Sequence, residues 1–174
     1  MTVQISKPEG WLEESFHVRS EDNWDWMDVT IRSKGSMIHV KFNSSYVAGA
    51  YNWNYCGDDV DWRKWLLDTD FSYFMGKMFG NGYRVFSIKK TIEGCLNTVE
   101  EEILDKVEAE GLRRALLQIQ DECDNENDLV DQLYGLDHFL FNDSPWEYFC
   151  KEDRADLVGF WDKLWRPFIE GVQK

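Results

Sequence analysis

The sequence predicts an α+β fold, in which a small antiparallel N-terminal sheet packs against a mostly helical C-terminal half. Apolar and polar residues alternate with a period of two over residues 27–42, whereas apolar residues recur every three or four positions from residue 62 onward. The chain has 174 residues, 43% of them hydrophobic and 16% aromatic, which is enough apolar mass for one aromatic-rich core. No repeat or linker interrupts it, so we expect residues 1–174 to form a single domain.

The sheet is predicted from two alternating segments that form a hairpin. Residues 27–32 and 38–42 each place their apolar side chains on one face, and Gly35 lies in the connection between them, where it can adopt a positive φ. A short strand is expected at residues 16–19. Another, rich in aromatic and β-branched residues, is expected near residues 83–88, where it would add to the hairpin.

Residues 43–57 show neither period, so they are predicted to form a loop. Asp58 or Asp59 can then cap a first helix, whose apolar positions begin at Trp62. A second helix over residues 71–78 is expected to end near Gly80.

The rest of the chain has a helical pattern. One apolar stripe covers residues 92–107, and it is compatible with one helix or with two, because Thr98 and Glu101 could cap a restart. Further helices are predicted over residues 112–123 and 129–133, and at Ser144, Pro145 and Glu147 a new helix can begin. Asp153 can cap the last helix, and Pro167 should kink this helix or end its regular part near Arg166.

The formal net charge is −14, from 33 acidic and 19 basic side chains. Binding to a phosphate backbone requires clustered Lys and Arg, so we expect no direct nucleic-acid ligand, and an anionic membrane is equally disfavoured. A basic protein surface would be attracted over long range. No segment has the apolar length of a membrane helix or a signal peptide, and the four cysteines are widely separated, so we expect a cytoplasmic protein with reduced thiols.

The acidic residues concentrate between residues 97 and 131, where twelve carboxylates face three basic side chains. Glu101, Asp105 and Glu108 follow one another at i, i+4 and i+7, which would place them in a row on one helical face and crudely resemble successive phosphates. This run is typical of either a solvated helix surface or a surface that binds a basic partner. The candidate partner-binding residues are Glu100, Glu101, Asp105, Glu108, Asp121, Glu122, Asp124, Glu126 and Asp128.

Trp24, Trp26 and Trp53 lie among Asp, Asn and Gly residues. They are candidate aromatic contacts, although burial in the core would explain them as well. Exposed rings would favour an alternative function, that of a structural or assembly factor that forms a homodimer through aromatic contacts.

The sequence holds no recognisable catalytic or metal-binding motif. The acidic run 58–61 lacks the features of a calcium loop, and the three histidines do not have zinc-site spacing. Neither a Walker nor a Rossmann glycine pattern occurs. A cryptic hydrolase with Cys56 as nucleophile and His17 or His39 as base is a further alternative. The leading expectation is a protein without enzymatic activity, cofactor or metal.

Three aromatic motifs carry a resemblance to a known group of proteins. They are D-W-R-K-W-L at residues 61–66, D-F-S-Y-F-M-G-K-M at residues 70–78, and F-W-D-K-L-W-R-P-F-I at residues 160–169. With them the chain resembles small accessory proteins of bacteriophages and other mobile elements, over most of its length from residue 60 onward. The resemblance implies a setting in which small acidic proteins often block host defence or nucleic-acid enzymes, sometimes by mimicking DNA. The leading hypothesis is therefore a module that binds a basic host protein.

Overall fold

The computed structural model describes residues 10–102, 104–136, 138–142 and 144–173. A four-stranded antiparallel sheet comes first in the chain and a mostly helical half follows, which confirms the predicted α+β class. The described residues form two compact units. Unit 1 comprises those up to Tyr83 and from Arg154 onward, and unit 2 comprises those from Arg84 to Asp153. The expected single domain stays a prediction.

The sheet of unit 1 is a meander whose strands are neighbours in chain order. Its strands are β1 (Leu12–Arg19), β2 (Trp26–Lys34), β3 (Met37–Ser44) and β4 (Ala48–Trp53). The predicted hairpin is confirmed, because Lys34 pairs with Met37 across a turn in which Gly35 has a φ of 54°.

The loop predicted for residues 43–57 is wrong over its middle part, which forms β4. Ala48, Gly49 and Ala50 show no hydrophobic alternation, so pairing with β3 rather than burial of side chains orders this strand. Gly49 is required there, because a Cβ atom would lie 2.8 Å from the Phe42 ring.

The strand predicted near residues 83–88 exists as β5 (Arg84–Phe86), but it does not add to the hairpin. It pairs instead with β6 (Lys151–Asp153) in a separate two-stranded sheet of unit 2. The Arg84 Nε atom lies 2.9 Å from Asp153 Oδ1, so an ion pair supports this register. Ser87 then caps a helix and ends the strand earlier than predicted.

Four α-helices follow in the described part of unit 1. They are α1 (Trp62–Asp68), α2 (Phe71–Phe79), α7 (Ala155–Phe160) and α8 (Arg166–Gly171). Asp61 caps α1, so the predicted caps Asp58 and Asp59 are wrong. Stacked aromatic rings join the helices to the sheet, with ring centroids 4.5 Å apart for Phe42 and Phe160. Such rings bury large areas and dominate the energy of a core.

The last helix continues past Pro167, but its regular α-helical pattern is interrupted just before that residue. A π-helical turn, Trp161–Trp165, joins α7 to α8, and the Arg166 N–H donates to the Trp161 carbonyl five residues earlier. The wider turn changes the hydrogen-bond pattern just before the proline, which has no N–H to donate. The predicted cap Asp153 lies in β6, and Arg154 precedes the helix without a side-chain cap.

Unit 2 is built mainly from helices. They are α3 (Ile88–Glu101), α4 (Lys106–Glu122), α5 (Glu126–Gly135) and α6 (Phe139–Asn142), followed by a 3-10 turn at Pro145–Tyr148. Their core includes Ile92, Cys95, Val99, Leu116, Leu129, Leu133 and Phe141.

The pattern over residues 92–107 forms two helices, and the second begins after Asp105 rather than at Thr98. Thr98 lies inside α3, where its hydroxyl donates to the Gly94 carbonyl. Val107 is 79% exposed, so the predicted stripe does not extend to it, and residue 103 lies outside the described residues. At the other predicted start, Ser144 makes no side-chain cap and a single 3-10 turn forms.

None of the helices in the described part of the chain combines the length and the hydrophobicity that crossing a membrane requires.

Candidate protein-binding surface

Most of the negative charge of the chain belongs to unit 2. Residues 84–153 contain 18 acidic and 7 basic side chains, a net charge of −11 within a chain total of −14. Unit 1 is therefore nearly balanced, and any long-range attraction of a basic partner comes mainly from unit 2.

The row predicted from Glu101, Asp105 and Glu108 does not form. Glu101 is the last residue of α3, and Asp105 precedes α4 as its N-cap. The Asp105 carboxylate accepts hydrogen bonds from the backbone N–H groups of Val107 (2.8 Å) and Glu108 (3.0 Å). Because the chain leaves the helix between these residues, the three side chains do not share one helical face.

The acidic side chains where α3 meets α4 mostly have structural roles. We call this group the α3–α4 corner: Glu100, Glu101, Glu102, Asp105 and Glu108. Glu100 Oε1 lies 3.1 Å from Arg113 Nη2, Glu108 Oε1 lies 3.1 Å from His138 Nε2, and Asp105 caps α4. Ion pairing and capping therefore account for three of the five.

The acidic side chains where α4 meets α5 are less compensated. This α4–α5 corner consists of Asp121, Glu122, Asp124, Glu126 and Asp128, all of them exposed. No ion pair to any of the five occurs among the residues that the structure describes. The structure thus gathers five of the predicted residues into one patch of uncompensated charge.

The negative charge of this corner acts on the Cys123 thiol. Burial raises the pKa of this thiol, and the negative charges of Asp128, Glu122 and Asp124 raise it further. Each of these carboxylates disfavours a thiolate at the same sulfur.

The fold explains only some of the carboxylates at this corner. Glu126 and Asp128 lie in the first turn of α5, where the helix dipole favours negative charge. Asp121 and Glu122 lie in the last turn of α4, where the dipole disfavours negative charge and no basic residue is present. Glu122 Oε1 accepts a hydrogen bond from Gln118 Nε2 at 2.7 Å, one turn earlier in the same helix. Helix stability therefore gives no reason for an acidic residue at Asp121 and only a partial one at Glu122.

The nine predicted residues form two clusters rather than one surface. Helix α4 has 17 residues, and at about 1.5 Å per residue it separates its two ends by about 25 Å. The structure therefore brings Asp121 to Asp128 together and places Glu100 to Glu108 at the opposite end of α4.

Exposed apolar side chains accompany the acidic ones in unit 2. Phe139 is 64% exposed and Trp146 is 54% exposed, and the Trp146 ring lies 6.5 Å from that of Tyr134. Large exposed rings at such density are typical of protein contact sites. Reasoning from the sequence missed them, because the exposure of a ring in a short turn depends on neighbours distant in the chain.

The three tryptophans proposed as aromatic contacts do not form a shared surface. Trp53 is only 4% exposed, and its ring lies 5.2 Å from that of Trp65. The prediction that Trp53 is an aromatic contact for a partner is therefore wrong, because its ring is buried in the core. Trp26 is half-buried. Trp24 is 84% exposed in the loop between β1 and β2, and of the three it alone presents most of its ring to solvent.

Cys56 lacks the setting of an activated nucleophile. Its thiol is half-buried, and burial raises its pKa, whereas a reactive cysteine needs a lowered one. His17 is hydrogen-bonded to Asp28 (Nδ1 to Oδ1, 2.7 Å), and the ring of His39 lies 4.4 Å from that of Trp11. Neither histidine has a hydrogen bond to Cys56 within the described residues. No group of three or more potential metal ligands occurs there either.

The outer face of the sheet holds a shallow depression of about 500 Å³. Its polar side chains satisfy one another across the strands, since Ser15 Oγ lies 3.0 Å from Thr30 Oγ1 and His17 is paired with Asp28. Such pairs are ordinary stabilising features of a solvated sheet face, so they give no indication of a ligand.

The chain matches the family model Phage_phiTE_072, described as a phage family, over residues 3–172. No curated protein and no solved structure matches the chain. The match extends over nearly the whole sequence, and the chain belongs to this family of phage proteins.

Proposed function

We propose that the protein is a non-enzymatic binding module that docks a basic protein partner on unit 2. The observation that carries this proposal is the α4–α5 corner, where five exposed carboxylates have no ion pair among the described residues. Two of them, Asp121 and Glu122, oppose the dipole of their own helix. Residues that cost the fold free energy are reasonable candidates for a function outside it.

Helix α5 connects the charged and the aromatic parts of the proposed surface. The acidic corner lies at its N-terminal end, and Tyr134, with Trp146 beside it, lies near its C-terminal end. Ten residues of helix span about 15 Å, which fits within one side of a standard interface. In this arrangement the carboxylates steer the partner and the rings of Tyr134 and Trp146 anchor it.

The partner class follows from the charge and from the phage family. A basic host protein that handles nucleic acid has cationic side chains arranged to meet phosphates, and the carboxylates of the acidic corner would occupy them instead. Binding would then inhibit the host protein by competition with its nucleic acid. The mimicry needs no single helical row, because a corner of carboxylates presents negative charge in several directions.

The test is capture of basic proteins from the phage host on the immobilised protein at low and high salt. The double variant Asp121→Lys with Glu122→Lys should lose the captured partner, and added salt should release it from the unaltered protein. Asp58→Lys with Asp68→Lys is the matched control, because both residues are exposed in unit 1 and the net charge changes equally. Equal capture by the two double variants would contradict the proposal.

Duplex DNA added to the captured complex distinguishes inhibition by mimicry from other binding. Release of the partner by DNA at constant ionic strength is expected if carboxylates and phosphates compete for one site. Retention of the partner in the presence of DNA would contradict the mimicry, although the proposed protein binding would stand.

A structural or assembly role is the second candidate, favoured by the 84% exposure of Trp24. Contacts of this kind are apolar and depend little on salt. Loss of self-association or assembly in Trp24→Ala, with no effect of ionic strength, would support this role over the first.

A further inference from the structure

The two edges of the four-stranded sheet differ in how they are protected. In an antiparallel pair, alternate residues exchange both backbone hydrogen bonds with the partner strand, and the residues between them point their N–H and C=O groups away. The Ser44 N–H donates to the Val47 carbonyl at 3.0 Å, so these two residues form a hydrogen-bonded pair between β3 and the residue that precedes β4. Counting every second residue from Val47 along the register, Gly49, Tyr51 and Trp53 are the residues of β4 that bond to β3. The backbone groups of Ala48, Ala50 and Asn52 therefore point to the open edge.

These three edge residues are exposed. Among the described residues, no hydrogen bond to their N–H or C=O groups from another loop, helix or side chain is present. The edge of β4 thus presents a row of backbone donors and acceptors to solvent.

The edge of β1 carries two features that oppose pairing with another strand. The Ser20 N–H donates to the Asp25 carbonyl at 3.0 Å, so this pair is hydrogen-bonded just beyond the paired ends of β1 and β2. By the same alternation, the backbone groups of Glu13, His17 and Arg19 point to the open edge of β1. Glu14 points inward, where it binds Arg63 and accepts a hydrogen bond from Trp62 Nε1 at 2.9 Å. Charged edge residues and an inward charge are known devices against association of sheet edges.

Strand β4 has neither device. Its sequence, A-G-A-Y-N-W, contains no charge and no proline, and its outward side chains are two alanines and one asparagine. We propose that β4 pairs with β4 of a second copy of this chain in antiparallel orientation, joining two four-stranded sheets into one of eight strands. This pairing does not involve the acidic surface of unit 2.

The strand is complementary to itself in one register. With a two-fold axis at Ala50, Ala50 meets Ala50 of the second copy and Ala48 meets Asn52, and every open backbone group of the three finds a partner. Tyr51 then lies across from Gly49 of the second copy. Because β4 contains no charged residue, no like charges oppose each other when two copies pair. For the same reason, β4 offers no charge by which a strand of another protein would be selected.

The test is sedimentation equilibrium of the full chain. The unaltered protein should form a dimer, and Ala50→Lys, which places a charge on the open edge, should raise the dissociation constant at least tenfold. Ala50→Pro should also raise the dissociation constant, because it removes an N–H that would bond to the second copy. That N–H is not bonded to β3, so the pairing of β4 within the sheet should be kept. Ser15→Lys, at a matching edge position of β1, is the control and should leave the dimer unchanged.

Salt provides a second readout that separates this dimer from partner binding. Two chains of net charge −14 repel, so added salt should strengthen dimer formation, whereas it should weaken the binding of a basic partner. Circular dichroism verifies that each variant is folded. A protein that stays monomeric at all accessible concentrations, or a dimer that persists in both Ala50 variants, would overturn the inference.

Discussion

His138 Nε2 donates a hydrogen bond to Glu108 Oε1 at 3.1 Å, which ties the short helix α6 to the first turn of α4. The direction of the bond follows from the other ring nitrogen, since His138 Nδ1 accepts from the Leu140 N–H at 3.3 Å. One imidazole therefore holds the segment that presents Phe139 and fixes it to a second helix.

Loss of this tether should loosen the exposed aromatic segment. The change His138→Ala removes both hydrogen bonds, and we expect it to lower the free energy of unfolding by about 1 kcal/mol. It should also weaken capture of the partner proposed for unit 2. Urea unfolding followed by circular dichroism measures the first effect. The control Glu108→Gln keeps a hydrogen-bond acceptor and should lose less, so a larger loss in Glu108→Gln than in His138→Ala would contradict the tether.

Charge reversal at the end of α4 should stabilise the protein while it removes the proposed function. In Asp121→Lys and Glu122→Lys, positive charge replaces negative charge at a helix C-terminus, and Asp121→Lys should add about 0.5 kcal/mol to the free energy of unfolding. Glu122→Lys should add less, because it also removes the hydrogen bond that Glu122 accepts from Gln118. Thermal and urea unfolding at low salt measure this gain. By contrast, Glu126→Lys reverses a carboxylate in the first turn of α5 and should destabilise. A loss of stability in the first two variants would show that their carboxylates have a structural role.

Two glycine-to-alanine changes should have opposite effects. A Cβ at Gly49 would lie 2.8 Å from the Phe42 ring and 3.3 Å from that of Phe79, so Gly49→Ala should destabilise by about 1 to 3 kcal/mol. Gly111 lies in α4, and apart from the backbone of its own helix no atom lies within 4 Å of the added methyl, so Gly111→Ala should stabilise by about 0.5 to 1 kcal/mol. Urea unfolding of both variants checks the pair. Equal changes of the same sign would mean that the environment of Gly49 is not close-packed.

The buried thiol of Cys95 should respond only to unfolding. Burial raises its pKa to about 12, with a smaller contribution from Cys150, so the folded state holds it as the neutral thiol. At pH 8 its alkylation should proceed only as fast as the protein unfolds, which mass spectrometry of the labelled peptide measures. Fast labelling of Cys95 in the folded protein would contradict its burial.

The same shift predicts the direction of a pH effect on stability. A pKa raised in the folded state contributes stability that is complete below the unfolded value of about 9 and is lost as the pH rises toward about 12. The Cys95→Ala variant lacks this contribution, so its free energy of unfolding should fall less over that range than that of the unaltered protein. Parallel curves for the two proteins would contradict the assignment.

Local pattern was sufficient for much of the fold. Alternation around Gly35 specified the hairpin, because a period of two and a residue that tolerates positive φ act within a few positions of each other. Helix α2 begins after Asp70, whose side chain accepts a hydrogen bond from the Tyr73 N–H. Helix α5 begins after Asn125 for the same reason, which explains the break between α4 and α5. The concentration of charge in unit 2 is likewise a property of composition.

Other features depended on contacts between distant residues. Strand β4 has no pattern of its own and is ordered by pairing with β3, and β5 finds its partner 65 or more residues later in β6. Asp105 could equally have stood at mid-helix or at a cap, and only the packing of α4 against α3 made it a cap and divided the acidic row.

The sequence by itself determined that this protein has an N-terminal hairpin, amphipathic helices and a strongly acidic segment, because periodicity, capping and charge are local or additive properties. Tertiary structure alone decided which rings are buried, as for Trp53, and which are exposed, as for Trp146. It also decided which carboxylates are compensated and which sheet edge stays open. Burial, ion pairing and edge exposure depend on which faces meet, and that choice is made by residues far apart in the chain.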